Sequence, residues 1–561
     1  MRPWHFGNTS VRSPFRLLDG LMAIQDSPLQ GNLHGTQAEK SFRHLLGERG
    51  VVELGVDATD SIARKWRAAL SQLGFLVPSL HRTALSGLQE RVGQADVISP
   101  NGQRLLKSAG SVPAIQECFL RSLGAYAVPS PIESDYGCEV FRPLLLVLKV
   151  MLALEDRFGD STVSFLEMAV IVQLATGQSK ASDVVEDIAR LRRSREAATS
   201  VKAFDQNSYA KVRRANGYVA GTYRDYADLN FRYLKATGLV QAKGRGIALV
   251  PTKRNLIVKL ALEEGPAPQG VEYFKSLCEG RPLPTDDVLV AKQVLRDLGD
   301  ELKKRGLEAP RPEAEDAAGI AVARHTAETL LLEACECDYA VRQADQVQEI
   351  LDFMDALNSR QRRSGKVSVP KGEAPAYLEW VLWRAFLAIN SVRNPPYEAR
   401  RFRVGPDFLP ISPAPGGGPD MFFEFDDYAV AIEVTLTEGS RQEAVEGESV
   451  RRHVANFIHT CNKPVFGLFL SVRVDPNTLE TFRHGVWYFS EDQRTRLNIV
   501  PLSLAEFKHF FSKLMQKTSD RAEVVRDFLT CCSSEPLRDH HDAIAWHARI
   551  RTRLERPELN S

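Results

Sequence analysis

Apolar residues recur every three to four positions through much of the first 360 residues, and a two-residue alternation takes over near residue 420. The helical period predicts helices over residues 38–49 and 60–73, the second ended by Gly74 and followed by the extended run Phe75-Leu76-Val77. A sharper pattern lies at residues 223–250. A helix over 223–237 is capped by Gly238, and a strand starts at Leu239. Lys243-Gly244-Arg245-Gly246 then turns the chain, and Ile247 begins a returning strand. A helix followed by a two-stranded ribbon with a Gly/basic tip is the pattern of a winged helix. The helical period resumes over 288–305 and 317–357, and again over 375–390.

Two Gly/Pro-bearing polar stretches, 264–285 and 359–375, read as boundaries. They divide the chain into residues 1–285, 286–365 and 366–561. The expected architecture is a multidomain α/β protein. It has an N-terminal helical region of helix-turn-helix and winged-helix type, a helical linker, and a C-terminal α/β domain.

The alternating region is where chemistry can be read. Residues 420–425 and 428–436 are aromatic and β-branched runs joined by Asp426-Asp427, a candidate two-residue hairpin turn. That turn fixes the register and sets Asp420 directly across from Glu433, with Cβ atoms about 5 Å apart. Met421, Phe423, Phe425, Tyr428, Val430, Ile432, Val434 and Leu436 share one apolar face. Asp420, Glu433 and Thr435 fall on the other face. Two opposed carboxylates repel, so either a divalent cation offsets them or the face lies hydrated in water. The helix that follows brings Glu446 near the same strand end, while Ser440 and Glu443 have the spacing of a capping box. Glu448 and Arg452 form an i,i+4 surface pair, and His453 reads as structural.

Composition bounds the rest. The 561 residues are 43% hydrophobic and 25% charged, an ordinary globular balance, with Lys+Arg 72 against Asp+Glu 71. With no global field, nucleic-acid contact must come from a local patch. From Glu186 to Asn255 fifteen Lys/Arg face six Asp/Glu. Arg232, Lys243, Arg245, Lys253 and Arg254 in this stretch are candidate DNA contacts, as are Arg64, Lys65 and Arg67 on the earlier helix. Basic runs are also often solvated faces, and winged helices also bind proteins. The longest apolar run, 144–154, contains Lys149 and is too short to span a bilayer, so no membrane role is expected. The eight cysteines have no zinc spacing and read as reduced thiols of a cytoplasmic protein.

The run Arg403-Val-Gly-Pro-Asp-Phe-Leu-Pro410, the segment Ala414-Pro-Gly-Gly-Gly-Pro-Asp420, and Glu433-Val-Thr-Leu-Thr437 belong to one wider pattern. Gly439-Ser-Arg-Gln-Glu-Ala-Val-Glu-Gly-Glu448 and the opening Trp4-His-Phe-Gly7-Asn8-Thr9-Ser-Val-Arg12-Ser-Pro14 complete it. The whole resembles the AlwI family of type IIS restriction endonucleases, within the PD-(D/E)xK nuclease superfamily. The resemblance implies DNA recognition in the N-terminal region and Mg²⁺-dependent phosphodiester hydrolysis in the C-terminal domain. It implies cleavage at a fixed distance outside a short asymmetric site in double-stranded DNA. Asp420, Glu433 and Glu446 take the family's catalytic positions, and Glu379 is the best match for a fourth, with Glu373 and Glu398 as rivals. Asp420, Glu433 and the Val434 carbonyl would hold the metal. Thr435 stands where the general motif has a lysine, leaving Lys463, Arg441 and Gln442 as candidates for its role. Cutting both strands requires a second copy or a small partner subunit, and a cognate DNA methyltransferase is the expected functional partner. A strand-specific nicking enzyme and a non-cleaving DNA-binding protein remain as alternatives.

Overall fold

The helical spacing in the first half of the chain does form helices. The computed structural model describes residues 2–9, 11–52, 61–81, 83–133, 138–262, 267–359, 362–365, 367–370, 372–439, 441–517, 520–539 and 542–555. Helix Thr36–Glu48 buries Ala38, Phe42 and Leu46, and Ser61–Gln72 buries Ala63, Trp66, Ala69 and Leu70. Gly74 follows with φ +72°, and a Cβ there would lie 2.2 Å from the Leu277 carbonyl oxygen. The turn therefore needs both a left-handed backbone and a missing side chain. Contacts gather the chain into two units, Met1–Leu331 and Leu332–Ser561. The division falls inside the stretch 286–365: helix Val288–Lys304 lies in the first unit and Val347–Asn358 in the second.

In the first unit, helix Ala220–Ala236 runs into an antiparallel ribbon, Val240–Lys243 with Gly246–Leu249. Strand Val163–Ser164 adds as a third strand beside Gly246–Leu249. Gly246 admits that neighbour, because a Cβ on it would sit 2.5 Å from the Val163 carbonyl oxygen. The N-terminal segment is tied to the helix. The Phe6 N–H donates to Asn230 Oδ1 at 3.0 Å, and Asn230 Nδ2 donates to the Trp4 carbonyl at 3.3 Å. Trp4 Nε1 donates to the Ala175 carbonyl at 3.1 Å.

The second unit holds the sheet. Helix α1 (Ala374–Ala388) precedes strands β1 (Met421–Glu424) and β2 (Ala429–Thr435). Helix α2 (Arg441–Thr460) crosses to β3 (Val465–Ser471), and β4 (Asn498–Ser503) leads into helix α3 (Leu504–Met515). The strand order is β4-β3-β2-β1, parallel except for β1 against β2. The turn is the two-residue one expected: the Phe425 N–H donates to the Tyr428 carbonyl at 2.9 Å. The pairs Met421↔Ile432 through Glu424↔Ala429 follow the register it dictates.

Both faces of the sheet are covered where the hairpin's aromatic residues lie. Phe386 of α1 stacks on Phe423 at 4.8 Å, and Phe457 of α2 stacks on Phe422 from the other side at 4.0 Å. Gly467 lets α2 approach, since a Cβ there would lie 2.8 Å from Val454 Cγ2. Ser440, expected to cap α2, lies outside the described residues. Glu443 accepts from Thr481 Oγ1 at 3.2 Å.

The continuous helix expected over 317–357 is interrupted. Ala317–Val341 ends in a tighter turn, Arg342–Gln346, before Val347–Asn358 resumes. The break and the first turn after it present three acceptors to one buried cation. Arg384 of α1 donates from Nε to Gln343 Oε1 (2.6 Å), from Nη2 to Gln346 Oε1 (2.6 Å) and from Nη1 to Glu349 Oε1 (2.8 Å). Its guanidinium lies over the Trp380 ring at 4.6 Å. A buried cation held this way is costly to lose, because its partners stay behind unsatisfied. Arg384→Ala is therefore expected to destabilise the protein by about 3 kcal/mol. A urea midpoint equal to that of the parent chain would contradict this account.

Candidate active site

The open end of the β1–β2 hairpin collects acidic side chains from three elements. Continuing the strand register sets Asp420 opposite Glu433. The Asp420 carbonyl accepts the Arg401 N–H at 3.1 Å, and its Oδ2 accepts the Val434 N–H at 2.8 Å. Glu433 is 8% exposed, and its Oε1 meets His453 Nδ1 of α2. Glu446, also on α2, takes a hydrogen bond from Thr435. Glu379 projects from α1, is 5% exposed, and accepts the Ala414 N–H at 2.8 Å.

The carboxylates act on one another electrostatically. Burial, then the Glu433 charge, hold Asp420 well above the usual aspartate range. Burial, then the Asp420 charge, do the same for Glu379. Burial and the neighbouring Glu446 push Glu433 up to about 8, and burial raises Glu446 as well. Two carboxylates about 5 Å apart repel by roughly 3 kcal/mol at an effective dielectric near 20. The cluster therefore retains protons at neutral pH unless a cation replaces them.

Among the described residues, no group of three or more His, Cys, Asp or Glu side chains is arranged to hold a metal ion as it stands. Asp420, Glu433 and Glu379 each have one carboxylate oxygen engaged by the protein, by Val434, His453 and Ala414. Hard oxygen donors remain. β1 begins at Met421, so its pairing with β2 ends at Ile432, before Val434.

The candidates for the missing lysine separate clearly. Lys463 sits at the turn end of the hairpin, donating to the Phe425 carbonyl at 2.7 Å. Gln442 is a clamp, donating to the Thr437 and Arg473 carbonyls (2.8 and 3.0 Å) and accepting the Asp475 N–H (2.8 Å). Arg441 is exposed on the first turn of α2. Arg452 and Arg401 both act on Glu433; Arg452 pairs with Glu448 at 3.0 Å, and Arg401 is the one that sequence reasoning missed. Its Nη1 and Nη2 reach the Pro419 and Gly416 carbonyls at 3.5 and 3.3 Å. A Cβ on Gly418 would lie 2.4 Å from Nη1, so glycine at 418 makes the room for this guanidinium. Its charge favours the ionised form of Glu433. The one sequence signal was the basic run Arg400-Arg401-Phe402-Arg403. Of the three competing glutamates, Glu379 is the one that feels Asp420 and Glu433, whereas Glu398 is exposed and Glu373 precedes α1.

The basic candidates in the first unit are spread over several surfaces and mostly paired. Arg64 and Arg67 both grip Glu39, at 3.0 and 3.3 Å, and Lys65 is exposed. Arg232 pairs with Asp228 at 3.0 Å, Lys243 with Asp160 at 3.0 Å and Arg254 with Glu155 at 2.8 Å. Surface pairs such as the last two contribute about 0–1 kcal/mol and exchange readily for a phosphate. Lys253 differs. Its pair with Glu328 is buried, and breaking such a pair costs about 3–5 kcal/mol, which ties Lys253 to the interior. Arg245 is exposed at the ribbon turn.

The sequence profile of the AlwI restriction endonuclease family matches residues 71–510. Among solved structures, the chain is similar to the small subunit (R.BspD6I2) of the heterodimeric restriction endonuclease R.BspD6I. Identity is 23%, over 36% of this chain and 98% of that one, with a TM-score of 0.30. It is also similar to the BpuJ1 endonuclease binding domain, crystallised with pyrene- and phenanthrene-modified DNA. There identity is 16%, over 46% of this chain and 89% of that one, with a TM-score of 0.32. None of the curated proteins compared matches it. No helix among the described residues is long and apolar enough to cross a membrane.

The raised carboxyls make stability depend on pH. Between the usual carboxylate range and about 8, folded Glu433 keeps a proton that the unfolded chain releases. Stability in divalent-free buffer is therefore expected to fall as pH rises through that window. Glu433→Gln removes this contribution, so the variant should be the more stable chain at pH 8, with the difference vanishing toward pH 4. Parallel melting curves for the two chains across that range would refute it.

Proposed function

The chain belongs to the AlwI restriction endonuclease family and is a site-specific deoxyribonuclease; from that premise we propose that it is a type IIS enzyme hydrolysing DNA with Mg²⁺ at the Asp420–Glu433 cluster. The observation that carries this reading is the convergence of Asp420, Glu433, Glu446 and Glu379 on one strand end, each proton affinity raised by burial and, for three of them, by another member. Mg²⁺ is commonly held by one or two carboxylates, with waters and substrate phosphate filling the other positions. Two acidic side chains and the Val434 carbonyl suit that donor set, and a cage of three is not required. When bound, the ion supplies Lewis acidity to the phosphoryl group and acidifies the attacking water.

The chain's own groups do the rest. The Val434 N–H holds Asp420 Oδ2 in place, which leaves the second oxygen for the ion. His453 does the same for Glu433. Glu446 and Glu379 complete the acidic rim and can accept a proton from water attacking the phosphorus. Arg401 provides the positive charge that a lysine at position 435 would give, facing a non-bridging phosphate oxygen. In the first unit, helix Ala220–Ala236 with its three-stranded ribbon is proposed as a winged-helix reader of base edges. Lys243 and Arg245 at the wing tip would contact phosphate.

One acidic cluster cuts one strand. A second copy or a small partner subunit completes a double-strand break, and a cognate methyltransferase protects the host site. Plasmid incubated with Mg²⁺ or EDTA separates the outcomes. Linear product supports double-strand cleavage, open circle alone supports a nicking enzyme, and no change supports a DNA-binding protein without cleavage. Asp420→Ala is expected to abolish cleavage while DNA binding persists in a gel-shift assay, and a variant that still cuts would remove Asp420 from the site. Arg401→Ala should slow cleavage about 10²–10³-fold, as loss of one charge-stabilising donor does. Arg401→Lys should recover part of the rate. Equal rates for Arg401→Ala and the parent would leave the lysine's role elsewhere.

A further inference from the structure

Helix Val201–Asn216 is unusual for its environment and its charge. Only Tyr209 of its sixteen residues is buried. Lys202, Lys211, Arg213 and Arg214 are all exposed. Among the described residues none of these four has a carboxylate partner; Arg214 Nε donates only to the Ala210 carbonyl, at 3.4 Å. Its neighbour, helix Ala181–Glu196, differs. There Arg190 pairs with Asp187, Arg192 with Glu167, Arg193 with Glu186 and Arg195 with Asp205. The pair Arg195–Asp205, at 2.7 Å, also neutralises the one acidic residue of helix Val201–Asn216. The basic excess read from the sequence is thus redistributed: most of it is internally compensated, and the uncompensated part concentrates on this helix.

A groove of about 530 Å³ between the two helices is lined by Asn207, Ser208, Lys211 and Asn216, with the Asp187–Arg190 pair at its edge. Arg224, from the following helix, lies over the Tyr209 ring at 4.5 Å and adds a fifth cation to the same neighbourhood. A helix that buries almost nothing gains little from tertiary packing, so its cations serve a partner rather than the core. The partner complementary to several unpaired cations beside amide and hydroxyl groups is a phosphate backbone.

We infer that helix Val201–Asn216 is a sequence-independent clamp on duplex DNA, binding phosphates through Lys202, Lys211, Arg213 and Arg214. This rests on the DNA-cleaving reading above but assigns the electrostatic grip to a helix outside the winged-helix elements. It adds affinity, not base recognition.

The test is the salt dependence of binding to a fluorescein-labelled random-sequence duplex, read by anisotropy in EDTA. Each phosphate neutralised contributes about −0.9 to the slope of log K against log salt. The variant with Lys202, Lys211, Arg213 and Arg214 all changed to Gln should lose about 3–4 from the magnitude of that slope. A control with Lys303→Gln and Lys304→Gln, at the end of helix Val288–Lys304 and outside the groove lining, should keep the native slope. So should a charge-preserving variant with the two lysines and two arginines interchanged, which also reports folding. A native slope in the fourfold Gln variant, or an equal loss in the control, overturns the clamp while leaving DNA binding intact. A native chain with no salt-dependent affinity for the duplex overturns the DNA-cleaving reading and the clamp together.

Discussion

Mutual repulsion among buried carboxylates is the constraint around which the second unit is built. Asp420, just before β1, is brought beside Glu433 by the hairpin register and by the Val434 N–H that its side chain accepts. Glu446 and Glu379 then arrive from α2 and α1, on opposite sides of the sheet. The cost is offset piecemeal, by two backbone N–H groups, one imidazole and the charges of Arg401 and Arg452. What remains is a cluster that holds its protons unusually tightly.

The sheet around the cluster is built to make that possible. α2 lies close because Gly467 has no side chain, and its approach turns a polar strand face into the wall of a site. Gly418 performs the matching task on the loop side by leaving space for Arg401. Both glycines act by absence of volume at helical or loop contacts and not by unusual backbone angles.

Much of this was legible in the sequence, and the limits of legibility have physical causes. The hairpin register was readable because it is local: turn length alone determines which residues oppose. The fate of the acidic strand face was not, since coverage by α2 depends on a glycine thirty-four residues beyond Glu433. The break at Arg342–Gln346 was hidden for the same reason. Its helical spacing is continuous, and the acceptors it exposes answer an arginine 38 to 41 residues away. Charge was the least readable quantity. Counting Lys and Arg located the basic region, but only the three-dimensional pairing showed Lys253 held by the buried Glu328 and Lys211 without a carboxylate partner among the described residues.

The stitching of the N-terminal segment to helix Ala220–Ala236 sets a timetable for biosynthesis. Trp4 and Phe6 find their hydrogen-bond partners 171 and 224 positions downstream, so this segment stays unsatisfied until those later residues have been made. Closing so long a loop is entropically expensive and slow. A chain cut short before Ala175 would leave Trp4 and Phe6 without these partners, two large apolar side chains open to water.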